Sequence, residues 1–435
     1  MKKIIAVLFA FFTIFSLAAC GSKSDYSSRG NGDNQDVYTT SAQTTPKTAI
    51  KTNLTYAREF QDGYAFVSFE RGGTSYVAII NTKGEILYKS ENLLPYPSSC
   101  QYVGDGVAAV RYYGDSDDIT YALITVKGET LASSANGDFD KILGVGNNLA
   151  VVYKEEQDGI SYKCCYALMN TQGNLVGNWV EDYKYTENYI DSVSYLGEGM
   201  FLIEDFGNKI QLFNQNLGRF VFYYEGYSFE STTFKNGVAT LMRGGKYYNA
   251  NTGYYETLES NVTLKSDGSF TIPANSDKIW GVSGDKVIVE EGDYLKIVGP
   301  DNTFTYQNYT SDKISNVYCY GDYTVISLRN EGNYFFTTLD KNGSQLYGPI
   351  ATCLLNGFEF SESAIVYYTD YTGAGYKCSI IDTKSGELLA SNIETSDFLG
   401  SFSDGMAPAN ISDSGSIYYF YVNKQGEKVL ENLYE

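Results

Sequence analysis

The 435-residue chain contains no histidine. That absence removes Ser-His-Asp triads, Cys-His dyads, histidine metal ligands and histidine proton transfer together. Basic residues are scarce as well, with Lys+Arg 32 against Asp+Glu 52 and a net charge of −20. No basic run offsets this balance, and such a surface repels a phosphate backbone, so a nucleic-acid role is excluded. The sequence lacks a P-loop, a G-x-G-x-x-G opening a helix and a G-x-S-x-G elbow. It also has no C-x-x-C and no metal-like cysteine spacing, so neither a metal nor a cofactor is expected. Beyond Ala19 no segment sustains a 3.6-residue period. What remains is apolar (43%) and rich in Gly (43) and Tyr (41), a composition able to fold.

The N-terminus carries a location signal. Lys2 and Lys3 precede an apolar run that starts at Ile4 and reaches Ala19, short for a membrane-spanning helix of roughly 20 residues. Leu17-Ala18-Ala19-Cys20-Gly21 closes it. This resembles the lipobox of bacterial lipoproteins, which implies cleavage after a signal peptide of residues 1–19 and a lipid on Cys20. The alternative is an ordinary signal peptide cleaved after Ala19, leaving Cys20 a plain thiol. Cleavage removes two lysines and no acid, so the mature chain carries −22. Residues 20–53 hold the lipidated N-terminus and a stretch rich in Ser, Thr, Asn, Gln, Gly and Asp. They read as a disordered tether spanning roughly 30 Å as a flexible coil.

From Leu54 onward the chain repeats. One recurring piece is Gly63-Tyr-Ala65-Phe-Val67, echoed by Gly106-Val-Ala108-Ala-Val110, Gly237-Val-Ala239-Thr-Leu241 and Gly405-Met-Ala407-Pro-Ala409. Its period of two predicts strands with one buried face. A second piece follows about twenty residues later. In Tyr76 to Glu85 and Tyr121 to Glu129, an Asn or Thr opens a turn and a Gly closes it. The turn glycines fall at 84, 128, 173, 218, 253, 299, 343, 386 and 426, at gaps of 35 to 46 residues. Strand-only units of this length are the signature of propeller blades. The expectation for residues 54–435 is all-β, a single β-propeller of about eight four-stranded blades, with seven to nine as the range.

This plan resembles the WG-repeat family of bacterial proteins, best over Phe60 to Leu87 and Phe402 to Leu430. Tyr stands where that family's Trp-Gly would be, and the one literal Trp280-Gly281 sits elsewhere in its unit. The resemblance implies a repeat β fold in an extracytoplasmic protein and brings no catalytic residues.

Six cysteines remain besides Cys20: Cys100, Cys164, Cys165, Cys319, Cys353 and Cys378. Cys164 and Cys378 share a slot in two units, each two residues past a tyrosine, which points to core packing. A disulfide such as Cys353–Cys378 between neighbouring blades is the alternative. Tyrosine pairs such as Tyr112-Tyr113 and Tyr367-Tyr368 put one ring inward and one outward on a strand. Outward rings are candidates for stacking on a sugar or a protein. Asp115-Ser116-Asp117-Asp118 is read as a solvated loop in preference to a calcium site, as are Glu181-Asp182 and Glu290-Glu291. Single matches to the YWTD propellers (Tyr367 to Asp370) and to the sialidase Asp box (Ser266 to Thr271) are chance.

These features point to a lipid-anchored, non-catalytic binding or scaffolding module on the outer face of a Gram-positive cytoplasmic membrane. Its partners would be the membrane, through the lipid, and a glycan or envelope protein. The alternative is an extracytoplasmic glycoside hydrolase or lyase using Asp/Glu and Tyr, signalled by carboxylates converging with Tyr or Arg at the channel mouth. The sequence assigns Cys20 as the lipid attachment and names no ligand-binding residue.

Overall fold

A computed structural model describes residues 49–435, apart from position 52 and the segments 95–98, 114–117, 159–160, 183–189, 206–208, 226–233, 235–237, 242–245, 250–253, 258–261, 272–277, 284–285, 292–293, 299–302, 308–312 and 397–398, and positions 321, 362, 414 and 431. The expected signal peptide and Cys20 therefore lie outside the described residues, as does the expected tether up to residue 48.

The described strands fall into nine consecutive antiparallel units, in which, the fifth excepted, each strand pairs with its neighbour in sequence. The first unit runs Leu54–Ala57, Tyr64–Arg71, Thr74–Asn81 and Ile86–Ser90. The second runs Cys100–Gly104, Val107–Tyr113, Ile119–Thr125 and Thr130–Ser133. Third, sixth, seventh and eighth units repeat the four-stranded order. The ninth contains Met406–Asp413, Ser416–Asn423 and Lys428–Val429. Among the described residues the only helical turn is Ser134–Asn136.

Local chemistry explains the turns. Asn81 Oδ1 accepts the backbone N–H groups of Lys83 and Glu85 at 3.0 and 3.1 Å, and Gly84 closes that turn at φ +75°. Asn170, Asp340 and Asn423 repeat the arrangement with Gly173, Gly343 and Gly426. The side-chain oxygen satisfies the turn's amides and glycine takes the left-handed conformation without steric cost.

The central strands of a unit are buried on both faces, not on one as the alternation suggests. Tyr64–Arg71 has five consecutive buried residues. Ala65, Val67 and Phe69 pack with Met406 and Tyr421 of the ninth unit, whereas Phe66, Val77 and Ile79 pack with Ala108, Val110 and Ala122 of the second. Val107, Ala109 and Leu123 in turn meet Ala150 and Val152 of the third. Each sheet is thus a filling between two neighbours, and the apolar layers between successive units are the core. This layering makes the chain a β-propeller of four-stranded blades.

The ring closes on itself. Phe60 and Tyr421 pack with their rings tilted at 53° and centroids 5.0 Å apart, and the Tyr421 hydroxyl donates to the Arg58 carbonyl at 2.6 Å. Ala49–Lys51 pairs antiparallel with Asn432–Tyr434, so the end of the stretch 20–53, expected as a disordered tether, holds a paired strand instead. Tyr434 N–H donates to Gly84 O at 2.8 Å, and Glu435 pairs with Arg71 and Lys89.

The fifth unit departs from the regular spacing. Val238–Leu241 pairs with Val262–Lys265, and the hairpin Lys246–Asn249/Tyr254–Thr257 is diverted to the outer strand Arg219–Glu225 of the fourth unit. The closing turn glycine of this unit is Gly268, at φ +88°, with its N–H on Lys265 O. A Cβ there would lie 1.9 Å from Val221 O, so only glycine fits.

Candidate functional site

Outside the fifth unit, the first two strands of each unit meet at an equivalent pair of residues. It is Gln61 with Tyr64 in the first unit, Gly104 with Val107 in the second and Tyr320 with Tyr323 in the seventh. In the eighth and ninth units it is Ser361 with Ala364 and Ser403 with Met406. Two places before each pair lies one structural slot on the innermost strand. The residue after it is buried, being Phe60, Val103, Phe360 or Phe402. Strand alternation therefore turns the slot residue to the opposite face of its sheet, where Tyr102, Tyr195 and Tyr318 pack against interblade layers.

Around the ring from the seventh unit to the second, the slot holds Tyr318, Glu359, Ser401, Glu59 and Tyr102. The third and sixth units place Gly144 and Gly281 there, and the fourth places Tyr195. Among the described slots the carboxylates are thus those of the first and eighth units, with Ser401 between them. Ser401 joins its two carboxylates: its N–H donates to Glu59 Oε1 at 3.0 Å, and its hydroxyl makes a long contact of 3.5 Å to Glu359 Oε2.

Both carboxyls are held above the usual value of 4.5. For Glu59 the cause is desolvation, which outweighs the Ser401 N–H and the positive charge of Arg58. Its side chain keeps solvent access through an open groove, but protein surrounds the carboxyl on most sides. Glu359 is raised by burial first and by the charge of Glu59 second. Tyr318 is raised by burial and, more weakly, by Glu359. The two glutamates therefore feel one another across the ninth unit.

Beside them lies an open groove. Its first part, about 230 Å³, is lined by Tyr56, Arg58, Glu59, Gln61, Tyr64, Tyr102 and Pro408 among others. Its second part, about 430 Å³, shares Arg58, Gln61 and Tyr102 and extends to Asp62, Gln101, Asn147 and Asn148. Arg58 is fixed in place by donating to Cys100 O at 2.9 Å and to the Tyr56 hydroxyl at 3.3 Å. The Tyr102 hydroxyl accepts the Gly106 N–H at 2.9 Å, and its ring lies 5.8 Å from that of Tyr64. Rigid rings, amides, one guanidinium and carboxylates make this a hydrogen-bonding surface with aromatic platforms.

None of these channel residues was named from sequence. The usable signal is the turn glycine: Glu59, Tyr102, Tyr195 and Ser401 each stand four residues before Gly63, Gly106, Gly199 or Gly405. Cys100, Cys353 and Cys378 are free thiols, Cys164 and Cys165 are buried, and Cys319 lies in the strand Lys313–Tyr320. Cys164 and Cys378 fill corresponding interblade layers, as their shared slot suggests, and Cys353 packs beside Cys378 without a bond to it. Tyr112 is half-buried and Tyr113 is exposed, the inward–outward split expected of a pair. The Asp115–Asp117 loop lies outside the described residues. Glu181-Asp182 and Glu290-Glu291, expected in loops, end the strands Leu175–Asp182 and Lys286–Glu291. Among the described residues no group of three or more His, Cys, Asp or Glu could hold a metal. No helix among them is long and apolar enough to cross a membrane.

No protein-family model matches the chain, and no curated protein matches it in sequence. Solved structures resemble it at low identity. The computationally designed Ika8 protein is 12% identical over 86% of this chain and 98% of its own, with a TM-score of 0.40. An uncharacterised protein of Listeria monocytogenes is 9% identical over 88% of this chain and 97% of its own, with a TM-score of 0.38. BamB from Moraxella catarrhalis is 13% identical over 67% and 81%, with a TM-score of 0.29. The propeller assignment rests on the chain's own strand order and ring closure.

Proposed function

We propose that the protein is a lipid-anchored propeller on the outer face of a Gram-positive cytoplasmic membrane, whose channel face binds a glycan. The anchoring half of this reading rests on Leu17-Ala18-Ala19-Cys20. The binding half rests on one observation, the arc of Tyr318, Glu359, Ser401, Glu59 and Tyr102 beside a groove rich in amides and carboxylates. Sugars present hydroxyls in fixed directions and an apolar ring face. Gln61, Gln101, Asn147 and Asn148 supply paired donors and acceptors, and Tyr64 and Tyr102 supply flat surfaces. The groove offers few aliphatic side chains, which disfavours an apolar peptide segment as its occupant.

A second reading, a glycoside hydrolase or lyase, is favoured by the convergence of Glu59 and Glu359 with Tyr318 and Arg58. One experiment addresses both. The full mature chain is screened against a glycan array, with and without calcium, and the bound glycan is then assayed for cleavage. Saturable binding without turnover supports the module; turnover supports the enzyme; a blank from folded protein removes the glycan reading. Anchoring is tested separately with Cys20→Ala. The variant should leave the membrane fraction, and retention after a high-salt wash defeats the anchor.

A further inference from the structure

Three charged residues line the groove, Arg58, Glu59 and Asp62. Both carboxylates already have donors: Glu59 takes the Ser401 N–H at 3.0 Å, and Asp62 engages the Tyr102 hydroxyl. The guanidinium is the group left over. Arg58 makes no ion pair among the described residues, in a chain whose acids outnumber its bases by 52 to 32. Of its five N–H groups two are used, Nε on the Tyr56 hydroxyl at 3.3 Å and Nη1 on Cys100 O at 2.9 Å. One N–H on Nη1 and both on Nη2 remain, at the tip of the side chain. The two bonds made hold the guanidinium plane in place, so little freedom is lost when the free N–H groups meet an acceptor.

The position of this group matters as much as its chemistry. Arg58, Gln61 and Tyr102 line both parts of the groove, so the guanidinium stands where the two parts meet. A planar fork there matches a carboxylate, which accepts two parallel hydrogen bonds. The net charge of −20 limits how many anionic groups the ligand can bring. One guanidinium does not offset a charge on every unit of a polymer, so nucleic acid and densely sulfated chains stay excluded.

We infer that the groove takes a glycan with an isolated uronic acid, its carboxylate on Arg58 and its neutral sugars on the amides and the Tyr64 and Tyr102 rings. The inference rests on the glycan reading above and adds the group that selects among glycans. A neutral hexose would offer Arg58 only a hydroxyl, an uncharged and therefore weaker acceptor.

The test uses three tetrasaccharides, each one glucuronic acid on three glucose, galactose or xylose units. Each is compared with its twin, in which the glucuronic acid is reduced to glucose, by calorimetry on the full mature chain. At least one acidic tetrasaccharide should bind about tenfold more tightly than its twin, the worth of one charge-assisted pair. Arg58→Gln should bring that ratio near one. Arg58→Lys keeps the charge without the fork and should lower the ratio too; it carries the test if Arg58→Gln does not fold. An unchanged ratio in the folded variant overturns the inference. Lys83→Gln, on an exposed turn outside the groove lining, removes the same charge and should leave the ratio unchanged. If it collapses the preference equally, general electrostatics explain it and the inference falls. No preference in any pair, with neutral sugars still bound on the array, overturns the inference and leaves the glycan reading standing. Binding of no sugar overturns both, and equal Arg58-dependent binding of tetraalanine through its terminal carboxylate overturns the assignment to a glycan.

Discussion

Glu59 and Glu359 are linked through a single residue of the unit between them, Ser401, whose N–H reaches one carboxylate at 3.0 Å and whose hydroxyl contacts the other at 3.5 Å. The first and eighth units are joined in this way only because the ninth closes the ring. The link between these two glutamates and the closure of the fold are therefore one structural fact.

Both glutamates sit above their unfolded value of 4.5, so the folded chain keeps protons that the unfolded chain has released. Their contribution to stability is full at low pH, declines as pH rises from 4.5 through the raised values, and is level above them. Arg58 opposes the shift on Glu59, while the partner charge reinforces it on Glu359. Melting temperature measured from about pH 4 to 8 should fall less for Glu59→Gln/Glu359→Gln than for wild type. Parallel curves would contradict the shifts.

Closure should dominate stability. Phe60 is fully buried against Tyr421. Phe60→Ala should cost about 3–5 kcal/mol by denaturant unfolding. Leu433→Ala, at a buried position in the closing strand, should cost about 2–5 kcal/mol. Glu435→Gln, which breaks only exposed ion pairs to Arg71 and Lys89, should cost less than about 1 kcal/mol.

Two left-handed glycines separate backbone strain from packing. Gly137, at φ +77°, has nothing within 4 Å of an added Cβ, so Gly137→Ala should cost roughly 1–2 kcal/mol. Gly128, at φ +88°, would drive a Cβ to 2.2 Å from the Tyr88 ring of the preceding unit. Gly128→Ala should therefore be clearly the worse of the two, and equal losses would show that the units are not packed this closely.

Burial pushes the Cys100 and Cys378 thiols up to about 12, and Cys353 is raised but only half-buried. Thiolate is the reactive form, so native alkylation followed by mass spectrometry should modify Cys353 before Cys100 or Cys378. A Cys353–Cys378 disulfide would appear as mutual protection and contradict the free thiols.

The strands and their turns were readable because their causes are local. Asn81 and Gly84 build one turn within five residues, and the same chemistry recurs around the ring. The fifth unit was misread because Gly253 and Gly268 both follow plausible strands. Pairing of Val238–Leu241 with Val262–Lys265, a long-range choice, decides between them. The alternating pattern of Tyr64–Arg71 hid a second buried face, since small Ala and large Phe both pack when a neighbouring sheet covers each side. The arc was invisible for a related reason. Glu59 and Ser401 are 342 positions apart, and neither has meaning until the ring brings them together.

Localising the bound glycan by hydrogen–deuterium exchange on the full mature chain is the decisive measurement. Binding at the channel face predicts protection in residues 56–66, 100–104 and 145–148, the segments that line the groove. Protection confined to the opposite hairpins, Arg71 to Thr74 and Tyr371 to Tyr376, would place the ligand elsewhere and contradict the channel site.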